Sequence, residues 1–371
     1  MNIFTQILIF IFLVSTLDIA TASSTEENYF KVAQVFAKKH ENNKTYYHEI
    51  AAEVSKVKSG KTKIVTDAEL DQAITSLLNI APNTAHIVTD DDQVYWLLKS
   101  IYSQNVEDSY IKHIGVWFER RGTKWHVGEV FEGSPAFKAG VQRGDEVVSV
   151  DGKPFEPVLS FSTIKTAEKA RMLLKRTPWD EPFNIAVNTV YDSLEQSMYS
   201  ATKLSVVTKI MNKKNIGYFR LWGGSRNDQN SILKYVIDKF QNNTDSMILD
   251  LRGGIGVLPS GLESFFLKSK GQLHTYTKPL IVLVNRFTAD DKKQLAAALQ
   301  ANKRALIIGE SPMQAPLKGV TIDLEPRKKL IFVPDDQNNS PLLPDKKVKD
   351  TLVYTGGQDS LLLEALKTAT E

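Results

Sequence analysis

The sequence predicts a layered α/β core preceded by a small α+β domain and an amino-terminal helical segment. Three observations predict it. Apolar residues recur at helical spacing through residues 28–80. Between about 109 and 190, short strand-like runs are broken by Gly, Pro and Asp. From about 200 onward, apolar strand runs alternate with amphipathic helices, the pattern of a core with parallel strands. A chain of 371 residues has room for more than one such core.

The chain opens on "IFTQILIFIFLVSTL", uninterrupted apolar sequence, followed by Ala20-Thr21-Ala22, an A-x-A cleavage pattern. Residues 1–22 read as a signal peptide cut before Ser23. The charged segment that usually precedes the apolar run is missing, so an uncleaved membrane anchor is the competing reading, and the run is short for a span of about 20 residues. Residues 23–108 follow as a helical segment. "YFKVAQVFAKKH" and "YYHEIAAEV" carry apolar positions at helical spacing, and "TDAELDQAITSLLNI" opens on Thr66 with Glu69 three residues on, a capping box. "SKVKSGKTK" reads as the loop between them.

Over 109–190, "HIGVWFE" and "WHVGEVF" read as strands. "EGSPAFKAGVQRGDEVVSVDGKPF" reads as a short helix and a further strand, "IKTAEKARMLLKR" as an amphipathic helix and "PFNIAVNTV" as a closing strand. About 80 residues is a comfortable size for one core. Over 191–371, "KLSVVTKIM", "NIGYFRLW", "SMILDLRGG", "PLIVLVN", "RALIIGE" and "KLIFVP" read as strands. "NSILKYVIDKF", "LESFFLKS", "KKQLAAALQ" and "SLLLEALKTA" read as helices.

Composition removes several function classes. Lys+Arg number 46 against 43 Asp+Glu, with no basic stripe interleaved with aromatics, so no nucleic-acid partner is expected. With no cysteine there is no disulfide, thiolate metal site or cysteine nucleophile. An exported chain without disulfides suits a periplasm better than a small secreted scaffold. The six histidines show no paired ligand spacing, so neither metal nor cofactor is expected, and His86 and His113 read as structural. "GGSRN" at 223–227 is too short for a phosphate loop. Asn43 and Asn242 begin N-x-[ST] sequons that matter only in a glycosylating source.

The segment 109–190 resembles a PDZ domain in its permuted form. The residues that carry this are Gly-Ser-Pro-Ala, Ala-Gly-Val, Gly-Asp-Glu-Val and Val-Asp-Gly within 132–155. PDZ domains add an extended carboxy-terminal peptide to a sheet edge and hold its carboxylate on backbone N–H groups. The resemblance implies that His113, Ile114, Gly115 and Val116 form this loop, with His113 where glycine is usual. "IAPNTAHIVTDDD", "NIGYFRLW", "MILDLRGGIG", "PLIVLVN…ALQANKRALIIGE" and "LLPDKKV…GQDSLLLEALK" resemble, in order, segments of the carboxyl-terminal processing (tail-specific) peptidases. That resemblance implies a crotonase/ClpP-like layered α/β core with the PDZ domain inserted.

It also implies a serine at the start of one helix and a lysine 25 residues later that, buried and neutral, takes the serine's proton. Carried over without gaps, the serine position is Asp290, the lysine position Ala315, and a lysine-orienting glutamine position Gly319. The family's glycine-rich oxyanion turn corresponds to Gly254, Ile255, Gly256 and Val257, with Val257 in place of a glycine. The expectation is a peptidase homologue without the Ser-Lys chemistry. A pair formed by Thr288 and Lys318 is the active alternative. Asp290 beside Asp291 does not make an aspartic dyad, because neighbours at a helix start diverge; they read as helix N-terminal charges, and Asp290 as a carboxylate obstructing the oxyanion region. The expected partners are polypeptide carboxyl termini or an envelope protein or protease. No stable membrane insertion is expected after cleavage, and a homo-oligomer is compatible with the resemblance.

Overall fold

The computed structural model describes residues 24–81, 85–103, 105–165, 168–224, 228–254, 256–267, 274–312, 320–324, 328–332 and 342–371. The expected signal peptide 1–22, most of "GGSRN", and Ile255, Ala315, Lys318 and Gly319 lie outside them, as does the side chain of His86. The chain divides into two compact units, one from 1–89 with 319–335, the other from 90–318 with 336–371.

In the first unit, helices α1 (Ser24–Lys39), α2 (Lys44–Lys58) and α3 (Asp67–Ile80) bury a common apolar stripe that includes Tyr29, Phe36, Ile50, Val54, Leu70 and Ile74. Thr66 and Glu69 cap α3 reciprocally, as their spacing predicts. The expected loop over 55–63 begins later, because α2 runs on to Lys58 with Val54 and Val57 three residues apart on its buried face. Strand β1 (Ala85–Thr89) pairs antiparallel with β16 (Lys328–Phe332), which pairs with β15 (Val320–Leu324). The expected 191–371 core therefore gives up two strands to the amino-terminal unit, since a strand pairs with whatever edge tertiary structure brings to it.

The second unit opens with α4 (Gln93–Tyr102), and its α+β part follows. A five-strand path runs β3 (Val116–Arg121), β4 (Lys124–Val130), β5 (Glu146–Val150), β7 (Lys169–Lys175), β8 (Phe183–Asn188), with β6 (Lys153–Pro154) paired to β5. Strand β2 (Ile111–His113) pairs with β9 (Val190–Asp192). Helices α5 (Pro135–Ala139) and α6 (Leu159–Ser162) are short. Ser134 caps α5 at its Pro, and Gly140 ends it at φ +85°. The expected helix 164–176 is instead a strand over 169–175. Ala170, Met172 and Leu174 are buried, Lys169 and Arg171 exposed. Pairing with β5 on one side and β8 on the other outweighs the helix propensity of Lys, Ala, Met and Leu.

Helix α7 (Leu194–Leu204) then leads into the core, so the strand expected from 203 starts only at β10 (Val207–Met211). The core sheet runs β10, β11 (Lys214–Arg220), β12 (Ser246–Asp250), β13 (Leu280–Val284), β14 (Leu306–Gly309), β17 (Lys346–Lys347), parallel throughout except for the β10–β11 hairpin. Alternating residues serve opposite faces, as the strand period requires. Phe219, Leu249, Val282 and Ile307 meet α8 (Gln229–Asn243) and α9 (Asp290–Ala301). Tyr218, Ile248, Ile281 and Ile308 meet α10 (Ser360–Thr368). This is the expected layered α/β core, with helices on both faces of the sheet. The expected helix at 262–269 is only a single 3-10 turn over Leu262–Phe265.

Between the α+β part and the core, Leu97, Phe131, Val158, Leu194, Met198 and Trp222 form a buried seam with Val257 packed against it. The seam also carries charge: Arg220 donates to Glu129 at 2.9 Å, and Trp222 Nε1 to Glu132 at 2.7 Å.

Candidate functional site

In open parallel sheets, sites form beyond the carboxyl ends of the strands. Here β12 and β13 end side by side, and two turns leave them. One runs Leu251 to Leu258; the other runs Asn285 to Ala289 and enters α9.

Asn285, 1% exposed, ties the turns together. Its Oδ1 accepts from Gly253 N–H at 3.2 Å and Phe287 N–H at 3.1 Å, and its Nδ2 donates to Asp350 at 3.1 Å. Thr288 closes the second turn. Its hydroxyl accepts from Asn285 N–H at 3.0 Å and donates to the Leu251 carbonyl at 3.2 Å, and the residue is fully buried. With its proton committed to a carbonyl, this hydroxyl has the geometry of a turn brace rather than that of an exposed nucleophile.

Asp290 starts α9 at φ +49°, left-handed backbone that costs an L-residue energy and that Asp tolerates better than most. The residue is half-buried, and its carboxylate lies against the first turn: a Cβ on Gly256 would fall 2.5 Å from Asp290 Oδ2 and 2.7 Å from the Ala289 carbonyl. Glycine at 256 is therefore required by the close approach of Asp290. Asp291 fastens the same turn from both sides, its N–H donating to the Gly256 carbonyl at 3.0 Å and its Oδ2 accepting from Leu258 N–H at 2.9 Å. Expected as a helix charge, Asp291 stands in the first turn of α9 and also anchors the glycine turn.

Gly253 and Gly254 take φ +50° and +66°. A side chain at Gly254 would run into the Trp222 carbonyl, 2.3 Å from the position of its Cβ. Val257 packs on the seam. Beneath the turn lies Lys292, fully buried, with Nζ donating to the Gly253 carbonyl at 2.6 Å. Burial first, and then the positive charge of Arg220, hold its amine well below the ordinary lysine range. The sequence reading missed Lys292. The signal was there: counting back from Leu299 and Leu295 at helical spacing puts 292 on the buried face of α9.

Arg252 stabilises the frame. It meets Asp250 at 2.6 Å and Asp359, which caps α10, at 2.7 Å, so the end of β12 and the carboxy-terminal helix share one buried cation. Burial pushes Asp250 up, but Arg252 and Arg220 outweigh it and leave its carboxyl below its usual range. Arg220 stacks over Trp222 at 3.7 Å.

The residues expected to hold a peptide carboxylate, His113 to Val116, are brought together, and several of their polar groups are bonded within the chain. His113 is buried; its Nδ1 accepts from Gly115 N–H at 3.1 Å, and its Nε2 lies 3.3 Å from Ser197 Oγ, which makes Nε2 the protonated nitrogen. Burial lowers its pKa to about 4. The Ile114 and Gly115 carbonyls accept from Ala136 and Phe131 at 3.0 and 2.9 Å. Val116 begins β3.

Among the described residues, no group of acidic or histidine side chains is placed to hold a metal, and no helix is long and apolar enough to cross a membrane.

The model of the PDZ domain matches residues 126–187, and that of peptidase family S41 matches 260–334. A carboxyl-terminal-processing protease of Picosynechococcus is 28% identical over 210 residues, 48% of this chain and 47% of that protein. A carboxy-terminal processing protease of Bacillus subtilis is 24% identical over 272 residues, 66% of this chain and 54% of that protein. The chain thus spans about half the length of the curated relatives it matches. Among solved structures, the photosystem II D1 C-terminal processing protease aligns over 88% of this chain and 94% of its own, with TM-score 0.54 and 17% identity, a likeness of fold.

Proposed function

We propose, on the premise that this chain is a PDZ-containing relative of the carboxyl-terminal processing peptidases, that it binds polypeptides without cleaving them by the Ser-Lys route. The observation that carries the proposal is the helix start. Where the resemblance puts a nucleophile there is Asp290, and its carboxylate lies against Gly256, in the turn that the resemblance assigns to the oxyanion hole. An anion in that place opposes the negative charge that develops on a substrate carbonyl, the reverse of what the hole supplies. Thr288 is a poor substitute, since its hydroxyl braces the turn.

The polypeptide-binding role draws on the PDZ domain and on relatives named for carboxyl-terminal processing. Export rests on the apolar residues 1–22. On this reading the protein acts as an adaptor or decoy for polypeptide termini outside the cytoplasm.

The test is a cleavage assay with unstructured proteins bearing apolar carboxyl termini, using residues 23–371 and, beside it, Asp290→Ser/Ala315→Lys. The parent is expected to be inert. Cleavage by the parent that Thr288→Ala abolishes would overturn the proposal and restore the Thr288/Lys318 pair.

A further inference from the structure

Among the described residues, β3 is the last strand of its sheet, and its outer edge offers the backbone groups that an added strand would use. Two of them are taken by one side chain. Gln93, the first residue of α4 and 4% exposed, donates from Nε2 to the Val116 carbonyl at 2.7 Å and accepts at Oε1 from Phe118 N–H at 2.8 Å. An antiparallel strand placed there would donate one N–H to the Val116 carbonyl and, from the residue two earlier, accept the Phe118 N–H on its C=O. The Gln93 carboxamide supplies both, one donor and one acceptor, and occupies the two positions that such a strand would bond.

We infer that Gln93 is an internal stand-in for a polypeptide ligand, and that an extended peptide reaches the β3 edge only when α4 withdraws this side chain. The inference rests on the polypeptide-binding reading above. Two further features support it. At the entrance to the same edge, the Gly115 N–H is held by His113 Nδ1, so that amide too is engaged within the chain. And α4 is pinned rather than loose. Asp91 Oδ1, just ahead of it, accepts from Val158 and Leu159 N–H at 3.0 Å each, fixing the start of α4 to the start of α6. Trp96 Nε1 donates to the Asp90 carbonyl at 2.6 Å, and Leu97 is buried in the seam with Phe131 and Trp222.

The chemistry of the competitor follows from the edge. It is an extended segment that supplies one N–H to Val116 and one C=O to Phe118, ending in a carboxylate where the Gly115 amide becomes free. A folded surface or a helix cannot offer that alternation. Displacement exchanges three hydrogen bonds, two at Gln93 and one at His113, for three, so the peptide gains only from the contacts beyond them. Affinity is therefore expected to be low until the stand-in is removed.

Two measurements test this on the full chain. Without peptide, amide exchange at Phe118 is compared in the parent, Gln93→Ala and Gln93→Glu. Phe118 exchange is expected to accelerate at least about tenfold in Gln93→Ala and much less in Gln93→Glu, which still accepts from Phe118 but cannot donate to Val116. With peptide, binding of an unstructured decapeptide with a free apolar carboxyl terminus, and of its amidated form, is measured for the same proteins. The free-carboxylate peptide is expected to bind Gln93→Ala at least about tenfold more tightly than the parent. Unchanged Phe118 exchange overturns the inference whatever the peptides do, as does equal affinity in parent and Gln93→Ala. Faster exchange with no peptide bound by any of the proteins supports the stand-in and overturns instead the polypeptide-binding function. If Gln93→Ala fails to fold, Gln93→Glu decides by affinity: with one of the two bonds lost it is expected to bind the free-carboxylate peptide more tightly than the parent, and equal affinity overturns the inference.

Discussion

Lys292 Nζ donates to the Gly253 carbonyl at 2.6 Å, so the glycine turn is held from beneath by a lysine with no exposed surface. A buried ammonium is costly, and burial drives this amine toward its neutral form. The unfolded chain therefore binds more protons than the folded one between the lowered pKa and the ordinary lysine value. Stability contributed by this residue rises with pH through that window and is lost as pH falls. Lys292→Met is expected to fold, to stay within about 1.5 kcal/mol of the parent and to lose that alkaline rise, whereas Lys292→Ala costs about 2–5 kcal/mol through the cavity it leaves. Denaturant unfolding at neutral and alkaline pH reads both.

Thr288 braces rather than reacts. Thr288→Ser preserves the hydroxyl and its two bonds and is expected to cost under about 1.5 kcal/mol. Thr288→Val, similar in shape but without a hydroxyl, leaves the Asn285 N–H unpaired and is expected to cost about 1–3 kcal/mol. If Thr288→Val matched the parent in stability, the brace would be refuted.

Gly256 and Asp290 are expected to be coupled. Gly256→Ala drives a methyl group against the Asp290 carboxylate and the Ala289 carbonyl and should destabilise by about 1–3 kcal/mol. Adding Asp290→Gly removes the close Oδ2 and Cβ of Asp290 and leaves the Ala289 carbonyl, so the double variant should recover about 0.5 kcal/mol or more relative to additivity. Strict additivity in a double-mutant cycle would place the Asp290 side chain away from the turn.

His113 predicts an acid limb. Its folded pKa, lowered to about 4 by burial, lies below the ordinary histidine value near 6.5. The unfolded state takes up the proton first, so stability is full above about 6.5 and falls as pH drops toward about 4, by about 3 kcal/mol at most. Below that pH the group contributes no further change. His113→Asn should flatten the slope in this window when unfolding is followed from pH 7 to 4.

Much of the architecture was legible along the chain. Thr66 and Glu69 announce a capped helix, Ser134-Pro135 and Gly140 bracket a short one, and the apolar runs at 246–250 and 280–284 are buried parallel strands. These depend on near neighbours and on periods of 2 or 3.6, which a sequence displays directly. The aspartate at 290 and the alanine at 315 are also plain letters. The strand over 169–175 was not legible, because its residues favour a helix until β5 and β8 flank them.

By itself the sequence determined the order of domains, the faces that must be buried and the residue at the helix start. Tertiary structure alone decided what those residues touch. Gln93 meets β3 from 23 and 25 residues away, and Lys292 reaches Gly253 across 39. No local pattern encodes such partners. They follow from which backbone groups the packed chain leaves unpaired in a dry interior, where an unmet donor or acceptor costs more than the side chain that satisfies it.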